Sequence, residues 1–220
     1  MLSSSSLITD SITQAAHWLS AGQLLAYPTE SVWGIGCDPF DESAVQQLLT
    51  IKQRPIEKGM IVVTDRVERI GPLLTTLSQQ QLQIVLASWQ PTSKSRIQQA
   101  HTWLLPIDNQ QAAPIPYWIT GAHNSVAVRV LAHPLIKQLC AQLVSKQNPY
   151  GFLVSTSCNR SSQPPALSLA AAKAYFWDDS NKDKNVDGQM IKRVGYLRGE
   201  TLGYELPSQI GNALTGQIIR

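Results

Sequence analysis

The sequence has 220 residues, 43% of them apolar and 15% charged, which is too apolar for a disordered chain and long enough to bury one substantial core. Its 18 basic and 15 acidic residues leave a net charge of +3, too small an excess to mark a nucleic-acid binder. The three cysteines, Cys37, Cys140 and Cys158, lie far apart with no Cys-x-x-Cys pair, which argues against a disulfide framework and a zinc site.

Residues 1–8, with serines at 3–6, read as a flexible leader ahead of one domain over 9–220. The leader lacks the basic-then-apolar pattern of a secretory signal, and no run approaches about 20 apolar residues, so a soluble cytoplasmic protein is expected. Ile12, Ala15, Ala16 and Leu19 share one helical face, with Gly22 as the stop. A short apolar strand over 23–27 ends at Pro28 and gives way to a turn. Residues 41–52 form the next helix, with Val45, Leu48 and Leu49 inward and Pro55 beyond its end. The β-branched run over 59–63 predicts a buried strand.

Ser78 opens a further helix, with Gln81 placed as its capping-box partner and Leu82, Val85, Leu86 and Trp89 as its buried stripe. Strands are expected over 102–105, 125–130 and 151–155. Pro134 suits the first turn of a helix whose inner face carries Leu135, Ile136, Leu139 and Leu143, and a last helix covers 168–176. Two polar segments, 90–100 and 178–192, read as surface loops. Strands and helices alternate without an internal repeat, so a single α/β domain with a mixed or largely parallel sheet is predicted.

Three segments carry candidate chemistry at strand ends, where α/β sheets bind their ligands. In the first, Thr29 and Ser31 offer hydroxyls beside Gly34 and Gly36, where backbone is able to approach a ligand; an ordinary turn explains the same residues. The second places Lys52, Arg54 and Lys58 within seven residues, between a helix end and a buried strand. A polyphosphate needs such a clamp, although cations also complement a helix C-terminus. The third joins two strands. Ser125, Ala127 and Arg129 share one face of the first, and Ser155, Thr156, Ser157 and Asn159 end the second. Arg129 among small neighbours calls for an anionic ligand or a structural carboxylate. The hydroxyl cluster suits a small ligand or a helix cap.

No Walker lysine motif, complete dinucleotide fingerprint, metal-spaced histidine set or catalytic carboxylate pair is present.

Together the segments Tyr27-Pro28-Thr29-Glu30, Lys52-Gln53-Arg54-Pro55 with Lys58-Gly59, Val126-Ala127-Val128-Arg129 with His133-Pro134, and Ser155-Thr156-Ser157 with Asn159 resemble the YrdC/TsaC family of threonylcarbamoyl-AMP synthases. Pro207-Ser208-Gln209-Ile210 and Ala213-Leu214-Thr215-Gly216 resemble its short bacterial form. The resemblance spans nearly the whole chain and implies a twisted open mixed sheet flanked by helices, with a basic concave face.

The implied reaction joins L-threonine, bicarbonate and ATP with Mg²⁺ into threonylcarbamoyl-AMP, releasing pyrophosphate. Partner proteins of a threonylcarbamoyl-transfer complex then modify the tRNA adenosine beside the anticodon. On that resemblance Lys52 and Arg54 are the catalytic cations. Lys52, Arg54, Lys58, Ser125, Ser155, Thr156, Ser157 and Asn159 hold ATP, and Thr29, Ser31 and Arg129 hold threonine, with no side-chain metal ligand. The chain departs from the family pattern in the polar stretch after Trp89-Gln90-Pro91, at Ser162, and at Tyr204, where an Arg is common. The competing expectation is a non-catalytic module that binds tRNA or double-stranded RNA through the basic face.

Overall fold

A computed structural model describes residues 7–90, 99–107, 114–177, 184–186, 189–191 and 193–220. Most helix boundaries follow local chemistry. Helix α1 (Ile12–Ser20) is capped by Ser11, whose side chain accepts from the Gln14 N–H. Asp41 does the same for α2 (Glu42–Lys52) through Ala44, and α2 stops at Gln53 in a left-handed conformation. The short helix α3 (Gly71–Leu74) precedes α4 (Gln79–Ser88), where Ser78 and Gln81 form the expected capping box. After α5 (Tyr117–Thr120), Pro134 opens α6 (Pro134–Gln142), and Ser168 caps α7 (Leu169–Phe176).

The strands are β1 (Ile8–Thr9), β2 (Leu25–Pro28), β3 (Trp33–Gly36), β4 (Ile61–Thr64), β5 (His101–Pro106), β6 (Ser125–Val130), β7 (Leu153–Val154), β8 (Thr156–Ser157), β9 (Lys184–Val186), β10 (Gln189–Ile191), β11 (Gly195–Leu197) and β12 (Gln209–Asn212). They divide into two mixed sheets, β1-β11-β2-β3-β8 and β12-β5-β6-β4-β7, and a separate β9–β10 ribbon. The expected mixed sheet is therefore split. The strand predicted over 151–155 is the joint: β7 pairs antiparallel with β4 in one sheet and β8 with β3 in the other. Ser155 stands at the corner, its N–H donating to Ile61 O at 2.9 Å.

Other differences have local causes. The predicted turn after Pro28 contains β3, because a hairpin closes at once through Thr29 N–H to Val32 O and pairs Pro28 with Trp33. The strand expected over 59–63 starts at Ile61, since Met60 N–H donates instead to Ile119 O. The polar segment 178–192 contains the β9–β10 ribbon rather than loop alone. Residues 91–98 of the other predicted loop, and 1–6 of the leader, lie outside the described residues. Leu7 is buried, and Ile8 joins the first sheet beside Tyr196.

Two clusters of buried side chains flank the sheets. One includes Trp33, Ile35, Val62, Val126, Val128, Phe152 and Tyr196. The other packs Leu19 of α1 and Ile136 and Leu139 of α6 against Leu25, Tyr27, Val63 and Leu153. Each such side chain contributes about 1.5–3 kcal/mol by leaving water. The sheet packing is tight enough to dictate a residue. A Cβ on Gly36 would lie 1.6 Å from Val154 O, so this glycine admits a neighbouring strand, not a ligand as its position suggested.

Candidate active site

The corner where the sheets meet borders a cavity of about 450 Å³. Its floor is one face of the second sheet: Ser125, Ala127 and Arg129 of β6, Ile61 of β4, Leu104 of β5 and Ile210 of β12. The period-two alternation of β6 places the first three there while Val126 and Val128 enter the core. The β2–β3 turn supplies Thr29 and Ser31, β3 supplies Gly34, and the corner supplies Ser155, Thr156 and Ser157.

Arg54 and Lys58 reach the opposite wall through a backbone-to-backbone contact. Ala122 N–H donates to Glu57 O at 3.0 Å, and Gly121 has φ +62, with space for its Cβ taken by Glu57 O at 2.4 Å. This clasp fixes the loop carrying Lys58. Arg54 is braced from within it, Nε and Nη2 donating to Gly59 O at 3.2 and 2.8 Å.

Nine of the residues expected from sequence thus meet in one cavity. Lys52 and Asn159 do not line it. The Lys52 ammonium donates to Ser157 O, Asn159 O and Asn159 Oδ1 at 2.7, 2.6 and 2.7 Å, which occupies all three of its hydrogens. Ser157 Oγ also donates to Asn159 Oδ1, at 2.7 Å. Lys52 is therefore the anchor of the hydroxyl-bearing wall. Burial, with the charge of Arg54 nearby, pulls its pKa down to about 8.

Arg129 is 8% exposed, and both partners left open by its sequence context bear on it. A carboxylate is present: Glu30 Oε2 lies 3.7 Å from Arg129 Nη2, while Glu30 Oε1 accepts from Ala132 N–H at 2.9 Å. That contact is long, and Arg129 Nε has no hydrogen-bond partner. A buried guanidinium so weakly compensated favours an anion in the cavity. Thr29 is itself buried, and its hydroxyl donates to Val32 O at 2.6 Å, so it shapes the turn and keeps its lone pairs for a ligand.

Sequence reasoning missed Thr120, His123, Ser208 and Arg220, which also line the cavity. Thr120 ends an unanticipated helix and His123 follows it, and Arg220 reaches the site only through strand pairing, so no local pattern marked them. Arg54, Lys58, Arg129 and Arg220 give the lining four cations, and no Asp or Glu stands among the described lining residues. The expected basic concave face is this cavity. Two polar sides are matched by apolar ones at Val32, Met60, Ile119 and Ile210, as a small ligand with both characters requires.

Residues 17–195 match the Sua5/YciO/YrdC family, which carries the description telomere recombination. The chain belongs to this family. A relative from Psychrobacter arcticus, named threonylcarbamoyl-AMP synthase, is 66% identical over 218 residues, covering 99% of both chains. Among solved structures of the family, a variant Sua5 from P. abyssi superposes with a TM-score of 0.70 at 22% identity, over 94% of this chain and 54% of that one. The same protein complexed with L-threonine gives 0.65 at 24% identity, over 91% and 50%. These structures share the family fold, and the present chain spans about half their length.

Proposed function

We propose that this chain is a threonylcarbamoyl-AMP synthase, a nucleotidyl-transferring enzyme that makes its acyl-adenylate from L-threonine, bicarbonate and ATP. The observation that carries the reading is a small-molecule cavity with four cations and no lining carboxylate among the described residues, in a chain 66% identical to a protein of that name. Two anions must be held there at once, a carboxylate and a triphosphate. Arg129, under-compensated by Glu30, suits the threonine carboxylate, with Thr29 and Ser31 on its hydroxyl and amine. Arg54 and Lys58 suit the phosphates, and Ser125, Ser155, Thr156 and Ser157 suit the nucleotide and the carbamate.

The threonine amine first attacks the carbon of bicarbonate, and a C–O bond breaks and water leaves as the C–N bond of N-carboxy-threonine forms. Its new carboxylate oxygen then attacks the α-phosphorus of ATP, and pyrophosphate leaves with the electron pair of the broken P–O bond. These residues hold the two anions in line and offset charge on the α-phosphate of the adenylyl group being transferred, which is what this reaction asks of a protein. Mg²⁺ would accompany ATP as part of the substrate and would offset phosphate charge beside Arg54 and Lys58. The product then passes to the threonylcarbamoyl-transfer proteins that modify tRNA, in the cytoplasm. The cavity favours this over a non-catalytic RNA-binding module, because its hydroxyls, its apolar walls and the buried Arg129 suit a small ligand better than a phosphate backbone.

The test is pyrophosphate release from ATP by the purified protein with bicarbonate and Mg²⁺. Release that requires L-threonine, and that is weaker with L-serine, is the expected result. Threonine-independent binding of double-stranded RNA without release would overturn the reading.

A further inference from the structure

The turn that carries Thr29 and Ser31 is held by two segments outside its own hairpin. One is the connection after β6, where Ala132 N–H donates to Glu30 Oε1 at 2.9 Å and Glu30 Oε2 faces Arg129 Nη2 at 3.7 Å. The other is a strap of residues 199–204, which follows β11 and belongs to no helix or strand. Along it Leu202 N–H donates to Thr29 O at 3.2 Å, and Tyr204 N–H to Glu30 O at 3.0 Å.

The strap enters between α6 and β2, where a Cβ on Gly199 would lie 2.9 Å from both Leu135 Cδ2 and Pro28 Cγ. One side chain then pins it. His133, at the N-cap position of α6 and 4% exposed, has its Nε2 2.9 Å from Glu200 O. A carbonyl only accepts, so Nε2 carries the proton and donates. The His133 side chain caps nothing in its own helix, and its Nδ1 is buried with no hydrogen-bond partner. Burying a half-satisfied imidazole is unfavourable, and among the described residues the strap is what its side chain bonds.

We propose that His133 is a positioning residue for the threonine half of the site. Held at Glu200 O, the strap keeps the main chain of Thr29 and Glu30 in place, and with it the Thr29 and Ser31 hydroxyls and the carboxylate beside Arg129. This role rests on the assignment of Thr29, Ser31 and Arg129 to threonine proposed above. Arg54 and Lys58 belong to the separate clasp of Glu57 with Gly121 and Ala122, so the phosphate half is independent of the pin.

L-Threonine, and separately ATP with Mg²⁺, are titrated by calorimetry into wild-type protein, His133→Leu and His133→Gln, with KM for each substrate taken from pyrophosphate release. Leucine keeps the bulk without the donor, and the glutamine amide supplies an N–H in place of Nε2. Amide hydrogen exchange at Leu202 and Tyr204 reads the strap itself, and melting temperature controls for the fold. Loss of the bond in His133→Leu predicts L-threonine binding and KM weakened about 5- to 20-fold, faster exchange at both amides, and ATP affinity within about twofold. His133→Gln should return L-threonine binding to within about threefold of wild type. L-Threonine binding unchanged in His133→Leu, or absent from wild type, overturns the role. An equal loss of threonine and ATP binding, as a merely weakened fold would give, overturns it too. His133-dependent L-threonine binding by a protein that releases no pyrophosphate would support the role and sink the proposed reaction instead.

Discussion

Replacing Lys52 by Met separates an anchor from a phosphate ligand. The thioether fills the lysine stem but supplies no donors, so Ser157 O and Asn159 O lose their partner while Asn159 Oδ1 keeps the Ser157 hydroxyl. Two orphaned acceptors cost about 1–3 kcal/mol each, and relief of the ammonium's desolvation offsets part of this, leaving a net loss of about 1–3 kcal/mol. In a domain of this size that lowers the melting temperature by roughly 2–4 °C per kcal/mol. The freed 157–159 segment misplaces the hydroxyl wall, and a shift of about 1 Å is enough for a loss near 10²-fold in kcat. Pyrophosphate affinity, measured by calorimetry, should stay within about threefold of wild type. Unchanged melting combined with lost pyrophosphate binding would refute the anchor and place the ammonium on the phosphates. The same geometry fixes a pH dependence. Deprotonation leaves two hydrogens for three acceptors, and the protonated form is the competent one, so wild-type kcat should fall as pH rises through about 8. Arg at this position, which stays charged, should remove that limb.

Gly36→Ala should cost about 3–5 kcal/mol in urea unfolding, because its Cβ forces β3 from β7 and strains the Val154 N–H to Cys37 O and Tyr27 Oη–H to Val154 O bonds. A loss below about 1 kcal/mol would show that the strands part freely. Arg129→Gln should raise the KM for threonine about 10²-fold, leave ATP affinity nearly unchanged, and destabilise the fold by exposing Glu30 to a lost partner. Adding Glu30→Gln should restore melting but not KM; recovery of both would make Arg129 structural only.

Much of the site was legible because it sits on strongly patterned segments. The alternation of β6 placed Arg129, and Pro55 directed Arg54 and Lys58 away from α2 toward the cavity. The capping box of α4 read directly, since it depends on two residues three apart. What sequence obscured was set by distance. Lys52 and Arg54 look equivalent in a basic run, but only the fold shows one committed to residues 157–159 and the other to the cavity wall. Ser155 ends an apolar run that reads as a single strand, and the change of sheet there leaves no local mark. β12 and Arg220 gain their places by pairing with β5 and Ile210, and a four-residue strand carrying Gly211 has little propensity of its own.

β11 lies between β1 and β2 in the first sheet, with Tyr196 pairing parallel to both Ile8 and Ala26. β12 likewise closes the second sheet against β5. Strands made early in synthesis therefore wait for partners made much later, and such distant loop closures are entropically costly. Until those late strands arrive, β1 has no neighbour in its sheet and the cavity lacks Ile210 and Arg220. Ligand affinity should then emerge only in the final cooperative phase of refolding, making substrate binding a sensor of completed assembly and not of early collapse.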